Sequence, residues 1–364
     1  MIDLFVSCGE VSGDLHGSTL IKELQTLRPD IKIGGVLGPK IRETGALEVF
    51  PMERLLVMGF IDVFKTLPKL VRLFFQIRNT ILKLNPKAVV FIDYPGLHLR
   101  LAKSLRKKGY QGKLIHYICP TVWAWGKKRV PQMAKTLDSL LTIFPFEPKC
   151  FAHTSLKTEY IGHPLAEAIR NFVPKNMFKG KILGVFPGSR LSEIDRNLQL
   201  QLHAAKTLKQ LDPDLEIYVS ELRIPLNLPD VHVVKSENRY ELMDASHMAI
   251  ATSGTVNLEL ALFQTPTVVN FFIRKLDCFI AQKLLRINLP YYCIANIILN
   301  RQVFPELYGP NLTEESLLFW AQKLWFDEKA RDRCKKGWLD VLKSLGINKA
   351  QEVGAHSILS TVDF

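Results

Sequence analysis

The stretch Leu4-Phe5-Val6-Ser7-Cys8-Gly9-Glu10-Val11-Ser12-Gly13-Asp14-Leu15-His16-Gly17 carries more architectural information than any other in the chain. Leu4 to Ser7 reads as a short buried β-strand. Glycines at 9, 13 and 17 let the backbone turn tightly and approach a ligand, and Ser12 or Asp14 is expected to cap the helix that follows. Strand, glycine-rich turn and helix in that order open a βαβ unit. The spacing is neither G-x-G-x-x-G nor G-x-x-x-x-G-K-[ST]. The second strand also ends in Gly34-Gly35 rather than in an acid for a ribose, so a dinucleotide or P-loop site is a poor fit. Local grounds leave open whether this turn holds a ligand or only starts a helix.

The same alternation runs through most of the chain. Further strand candidates are Ile33 to Leu37, Ala88 to Ile92, Leu114 to Ile118 and Leu140 to Phe144. In the second half they are Ile182 to Phe186, Leu215 to Val219, Val231 to Val234, Met248 to Ala251 and Thr267 to Phe271. Between the halves lie Gly162-His163-Pro164 and Val173-Pro174-Lys175-Asn176, where a linker is expected. The expected fold is α/β, with two Rossmann-like, doubly wound parallel-sheet domains facing across a cleft and ligands at the carboxyl ends of the strands. The domains are expected at residues 1–168 and 178–340, with 341–364 a C-terminal helix free to pack back on the first domain.

Composition is that of an ordinary globular chain: 364 residues, 47% hydrophobic and 23% charged. The formal charge of +13 is unevenly spread. Lys65 to Arg129 holds 15 basic residues and one acid, Asp93, so the remainder sums to −1. That pattern excludes a chain-wide nucleic-acid coat and a disordered polyampholyte. Six cysteines (Cys8, Cys119, Cys150, Cys278, Cys293, Cys334) form no C-x-x-C, which fits buried thiols in a reducing compartment. Met1 to Leu4 lead straight into a strand, and no uncharged apolar run reaches about 18 residues. A cytoplasmic protein without a membrane span is therefore expected.

Three further motifs point to chemistry. Phe186-Pro187-Gly188-Ser189-Arg190 follows a strand and precedes a helix, whose N–H groups together with the Arg190 fork suit a diphosphate. A surface arginine in a turn is the bland alternative. Thr252-Ser253-Gly254-Thr255 repeats the strand-loop-helix arrangement, with Glu259 one turn inside the helix to accept from ribose hydroxyls. Phe91-Ile92-Asp93-Tyr94-Pro95-Gly96 puts a carboxylate at a strand end, where a general base would take the proton from an attacking hydroxyl. Neighbouring positive charge would lower the pKa of Asp93 and burial would raise it. A cap or an ion pair remains the alternative for this residue.

The basic block adds an amphipathic helix. Phe60, Val63, Phe64, Leu67, Val71, Phe74 and Leu82 form one stripe and Lys65, Lys69, Arg72 and Lys83 the other, with Pro68 expected to break or kink it. Such a helix, with Trp123 and Trp125 as interfacial residues, suits an anionic membrane surface. So many Phe and Leu argue against nucleic acid.

Taken together these residues resemble the lipid-A-disaccharide synthase family. The resemblance rests on Gly9-Glu10-x-Ser12-Gly13-Asp14, Asp93, Pro120-x-Val122-Trp123-Ala124-Trp125, Pro145-Phe146-Glu147, Gly162-His163-Pro164-Leu165, Pro187-Gly188-Ser189-Arg190, Ser253-Gly254-Thr255-x-x-Leu258-Glu259 and Pro305-Glu306-Leu307, in family order. It implies a GT-B glycosyltransferase that inverts at the anomeric carbon and needs no metal or organic cofactor. The reaction implied is transfer of 2,3-diacylglucosamine from its UDP derivative to 2,3-diacylglucosamine 1-phosphate, giving the β-1,6 disaccharide and UDP. It maps the base to Asp93, with Glu10 and Asp14 as further catalytic candidates. Gly9, Ser12, Gly13, Gly188, Ser189, Arg190, Ser253, Gly254, Thr255, Glu259 and Asn296 would bind the UDP-sugar. Lys65, Lys69, Arg72, Phe74, Trp123 and Trp125 would meet the acceptor and the inner face of the inner membrane. Where the family has Leu-Pro-Asn this chain reads Ile294-Ala295-Asn296. Another UDP-sugar enzyme of the same fold, an N-acetylglucosaminyltransferase or an epimerase, is one alternative. A non-enzymatic basic binding module is the other.

Overall fold

Strand β1 (Leu4–Cys8) is buried at every position and pairs in parallel on both sides, with β2 (Ile33–Leu37) and with β4 (Ala88–Ile92). A strand buried on both faces has no use for polar alternation, which is why these runs are nearly all apolar. The computed structural model describes residues 2–55, 60–124, 126–189, 191–221, 225–273, 289–346 and 349–363, with the backbone alone at 60–67 and 192. Its chain divides into two compact units, Met1–Pro164 with Ile347–Phe364, and Leu165–Gly346.

The first unit adds β3 (Leu47–Pro51), β5 (Lys113–Tyr117), β6 (Ser139–Thr142) and β7 (Lys157–Tyr160), giving the parallel order β3-β2-β1-β4-β5-β6-β7. Its helices are α1 (Val11–Leu27), α2 (Pro39–Arg42), α3 (Phe60–Leu84), α4 (Pro95–Lys107), α5 (Val130–Thr136) and α6 (Pro164–Arg170), the last straddling the division. Alternate residues of β1 choose opposite faces. Leu4, Val6 and Cys8 pack with Leu20, Ile21 and Leu24 of α1, while Phe5 packs with Leu73, Ile77 and Ile81 of α3 and Leu101 and Leu105 of α4.

The second unit contains β8 (Lys181–Phe186), β9 (Leu215–Ser220), β10 (His232–Val234), β11 (Met248–Thr252), β12 (Thr267–Phe271) and β13 (Glu306–Tyr308), ordered β10-β9-β8-β11-β12-β13. Its described helices are α7 (Leu191–Leu211), α8 (Arg239–Ala245), α9 (Val256–Leu262), α10 (Ile294–Leu299), α11 (Glu314–Phe326) and α12 (Glu328–Leu345). The last helix, α13 (Ala350–Val362), belongs to the first unit. There Ala355 and Ile358 join the α1 face of the core, and Ser357 Oγ donates to Glu159 Oε2 at 2.7 Å.

Both sheets therefore change winding direction at one place, β1/β4 in the first and β8/β11 in the second. Two sequence expectations need correction. Helix α3 runs continuously from Phe60 to Leu84 across Pro68, because the exposed ring removes one helical hydrogen bond and leaves the buried stripe unbroken. Helix α1 is capped by neither Ser12 nor Asp14. Its N-cap is Glu10, without a side-chain cap, and Asp14 serves α2 instead.

Candidate active site

In a doubly wound sheet the loops at the switch point diverge to opposite faces and leave a crevice at the strand ends. In the first unit those loops are Gly9–Glu10 after β1 and Asp93–Tyr94 after β4. An added Cβ on Gly9 would lie 2.3 Å from Tyr94 Cδ1, so only glycine lets the Tyr94 ring close over the first loop. Asp93 and Tyr94 both adopt left-handed backbone, with φ of 49° and 47°. Asp93 N–H extends the ladder by donating to Tyr117 O at 2.9 Å. Burial, then the Glu10 carboxylate, push the Asp93 carboxyl up from 3.8 to about 6, against a smaller opposing pull from the Tyr94 N–H. The basic block does not depress it.

Asp14 is buried, and its two oxygens accept from Lys40 N–H at 2.8 Å and Ile41 N–H at 3.0 Å. It thus ties α1 to the start of α2. Glu10 and Ser12 are exposed beside it, and Gly13 is buried against Ile92. Sequence reading missed His98, which is fully buried on α4 with Nδ1 2.6 Å from Asp93 O and Nε2 3.0 Å from Ser7 Oγ. Nothing in its local sequence marks it. Glu147, of the Pro145-Phe146-Glu147 motif, accepts from the Ile143 and Phe144 N–H groups, and burial pushes its carboxyl up to about 8. Trp123 packs edge-on against Phe146 at 5.3 Å, close to the carboxyl ends of β5 and β6 rather than on α3.

On α3, Lys69 and Arg72 are exposed and line a cavity of about 370 Å³ with Arg54, Leu73 and Gln76. Phe74 is partly buried against the core, whereas Val71 and Phe75 are the exposed apolar residues, at 45% and 44%. The Lys65 side chain, Trp125 and Arg190 lie outside the described residues.

The second unit repeats the arrangement at β8/β11. Gly188 has φ 110°, and a Cβ there would meet Glu193 Oε2 at 2.7 Å. Ser189 N–H donates to that same oxygen at 3.2 Å. An anion in this loop would exchange with the Glu193 carboxylate for that donor. Ser253 Oγ donates to Tyr292 O at 3.2 Å, and Gly254 has open space where a Cβ would stand. Glu259 is buried, and its Oε1 accepts from Arg239 Nη2 at 2.6 Å and from Tyr240 OH at 3.1 Å. Burial pushes its carboxyl up, and the arginine opposes this.

A buried amide chain lies below these loops. Asn270 Nδ2 donates to Asn197 Oδ1 at 2.8 Å, and Gln201 Nε2 donates to Asn270 Oδ1 at 2.7 Å and to Thr252 Oγ1 at 3.2 Å. Thr252 in turn donates to Pro187 O at 3.0 Å, which joins the two loops. Asn296 is fully buried and saturated within the chain. Its Oδ1 accepts from Val303 and Phe304 N–H, and its Nδ2 donates to Phe304 O and Glu306 Oε2. Glu306 also accepts from the Tyr292 and Cys293 N–H groups at the start of α10. Among the described residues no cluster of three or more His, Cys, Asp or Glu could hold a metal ion.

A family model described as lipid-A-disaccharide synthetase matches residues 4–353. A lipid-A-disaccharide synthase of Chlamydia trachomatis serovar D is 40% identical over 323 residues, covering 84% of this chain and 53% of that protein. The chain thus spans about half the length of the chlamydial relatives it matches. One from Rhodospirillum centenum is 32% identical over 362 residues, covering 94% of this chain and 90% of its own. Among solved structures, a UDP-GlcNAc 2-epimerase from Neisseria meningitidis, bound to UDP-GlcNAc, superposes with a TM-score of 0.66 at 11% identity, covering 99% and 100% of the two chains. The calicheamicin glycosyltransferase CalG4 gives 0.59 at 13% identity, covering 99% and 98%. At such identities the likeness is one of fold, the GT-B arrangement of two parallel α/β sheets.

Proposed function

The chain belongs to the lipid-A-disaccharide synthase family, and from that premise we propose that it transfers 2,3-diacylglucosamine from UDP-2,3-diacylglucosamine to 2,3-diacylglucosamine 1-phosphate. The products are the β-1,6-linked disaccharide 1-phosphate and UDP. The observation that carries this reading is Asp93: a strand-end carboxyl at the switch point, held near pH 6 by burial and Glu10. A base of that strength is mostly ionised at neutral pH, yet takes a proton more readily than an ordinary carboxylate. As the acceptor's 6-hydroxyl oxygen attacks the donor's anomeric carbon, Asp93 accepts the hydroxyl proton. The new carbon–oxygen bond forms on the face opposite the breaking bond to UDP, which leaves with the electron pair, so configuration inverts.

The donor's diphosphate is assigned to the Gly188–Ser189 and Ser253–Thr255 loops with Arg190. Both described contacts of Glu259 fall on Oε1, so Oε2 is the oxygen we assign to the ribose hydroxyls. Asn296 has no spare hydrogen-bonding capacity, and we assign it to holding the 303–306 segment rather than to touching the nucleotide. Asp14 likewise shapes the Gly9–Gly13 loop through α2. Glu10 acts through its charge on Asp93. Gly9, Ser12 and Gly13 form the wall of the crevice. No metal or organic cofactor is invoked.

The acceptor is assigned to the first unit, and the surface of α3 with Lys65, Lys69 and Arg72 to an anionic membrane. The described helices include none long and apolar enough to cross one, so the association proposed is peripheral, at the inner face of the inner membrane. Val71 and Phe75 replace Phe74 as the residues that would enter the headgroup layer. Trp123 suits an acyl chain near the strand ends better than the interface.

The test is UDP release from the diacyl donor with and without the diacylglucosamine 1-phosphate acceptor. Release that requires both is expected. Equal turnover with deacylated UDP-glucosamine would overturn the substrate assignment, and release independent of the acceptor would overturn the transfer.

A further inference from the structure

Two consecutive non-glycine residues in the left-handed region are costly and persist only where surroundings over-determine them. Asp93 and Tyr94 form such a pair, at φ 49° and 47°. Two contacts define the Asp93 peptide: its N–H donates to Tyr117 O at 2.9 Å, and its carbonyl lies 2.6 Å from His98 Nδ1. A carbonyl can only accept, so Nδ1 carries the proton. Nε2 is then an acceptor, and the hydroxyl 3.0 Å away, Ser7 Oγ on β1, donates to it. The His98 ring is further fixed between aromatic neighbours, with Phe91 at 5.2 Å and Tyr94 edge-on at 5.8 Å.

We propose that His98, oriented by Ser7, is a positioning residue that locks the Asp93 peptide in its left-handed conformation and so presents the carboxylate for proton transfer. The proposal rests on the reading of Asp93 as the base. Its chemistry has a second merit. Burial pushes His98 down to about 4, so the ring is neutral near pH 7. A neutral donor holds the peptide without placing a positive charge beside Asp93, where it would weaken the base. The ring also links the two switch-point strands, since Ser7 lies on β1 and Asp93 directly follows β4. A movement of either strand end would then reach the carboxylate.

The experiment compares turnover and donor binding in His98→Leu, His98→Asn, Ser7→Ala and Asp93→Asn. Leucine keeps apolar volume and removes the donor, while an asparagine amide nitrogen can stand where Nδ1 stood. His98→Leu is expected to lower kcat about tenfold or more while leaving KM for the donor within about twofold, since a misplaced catalytic group costs rate rather than ground-state binding. His98→Asn should recover most of that loss. Ser7→Ala should lower kcat a few-fold. Equal kcat in His98→Leu and His98→Asn overturns the proposal, as does an unchanged kcat in His98→Leu. If His98→Leu does not fold, Ser7→Ala and His98→Asn decide: wild-type kcat in Ser7→Ala, or an inactive, folded His98→Asn, overturns it. Asp93→Asn separates the two levels. Near-normal turnover there removes the base and this role with it, whereas an inactive Asp93→Asn beside a normal His98→Leu removes only the positioning role.

Discussion

Asp93 is held in a state that costs stability at neutral pH. Its carboxyl is raised from 3.8 to about 6, so the folded chain binds that proton more tightly than the unfolded chain does. Stability associated with this group is therefore full below about pH 4 and declines as pH rises to about 6, and the deficit remains at neutral pH. Asp93→Asn removes the charge while keeping the shape. It should stabilise the fold at pH 7.5 by on the order of 2 kcal/mol once partial solvent contact is allowed for, read as a raised melting temperature. The same variant should lower turnover about 10²-fold or more with UDP still bound. Calorimetry and single-turnover kinetics on one sample check both. Turnover of the unaltered chain should fall as pH drops through about 6, and Glu10→Gln should move that limb to lower pH, because the second cause of the shift is gone. The isolation of Asp93 among basic residues was visible in the sequence, but the sign of its pKa shift was not. Glu10 and the burial come from other strands and loops, brought near only by the sheet.

At the scale of elements, buried strands were legible and most edge strands were not, the exception being β10, which Val231 to Val234 marked. β4, buried throughout, stands out as Ala88-Val89-Val90-Phe91-Ile92. β3, β7 and β13 lie at sheet edges, are short and partly exposed, and mix polar with apolar residues, so no periodic signal marks them. Helix α3 illustrates a second limit. Its sequence is apolar over more than one face, and the core takes the Leu73-Ile77-Ile81 stripe, leaving Val71 and Phe75 exposed between Lys69, Arg72 and Arg78. Arg78 lies over the Phe75 ring at 4.8 Å. Not every residue of the basic block adds to the surface. Arg106 donates to three backbone carbonyls, of Thr136, Tyr110 and Gly112, and pairs with Asp138. Neutralising Lys69 and Arg72 to Gln should weaken binding to anionic vesicles by about 30-fold at low salt, at about 1 kcal/mol per charge. Co-sedimentation measures this, and binding unaltered by the substitutions and by salt would move the membrane face elsewhere.

At the scale of the molecule, the chain leaves its first unit after Pro164 and rejoins it with α13. This helix is integral to the first core: Ile358 is fully buried with α1 and β5 residues, and a Cβ on Gly354 would press on Tyr117 at 3.1 Å. Ile358→Ala should cost about 2–4 kcal/mol in the first unit and leave UDP affinity of the second unchanged. Thermal denaturation paired with UDP titration reads the two separately. The sequence by itself determined the α/β alternation, the buried strands and the two loop-helix motifs of each half, because those depend on short-range periodicity and glycine placement. Only the tertiary structure decided that Asp93 is raised and that Asn296 is saturated. It alone showed that Asp14 serves a neighbouring helix, that the His98 ring lies between Ser7 and the Asp93 carbonyl and that Gln201 joins the ends of β11 and β12. The Asp14, Ser7–His98 and Gln201 contacts join residues distant in sequence, which meet only once parallel strands have been ordered side by side, while the Asn296 and Asp93–His98 contacts are nearer in sequence but turn on side-chain directions that no periodic pattern encodes.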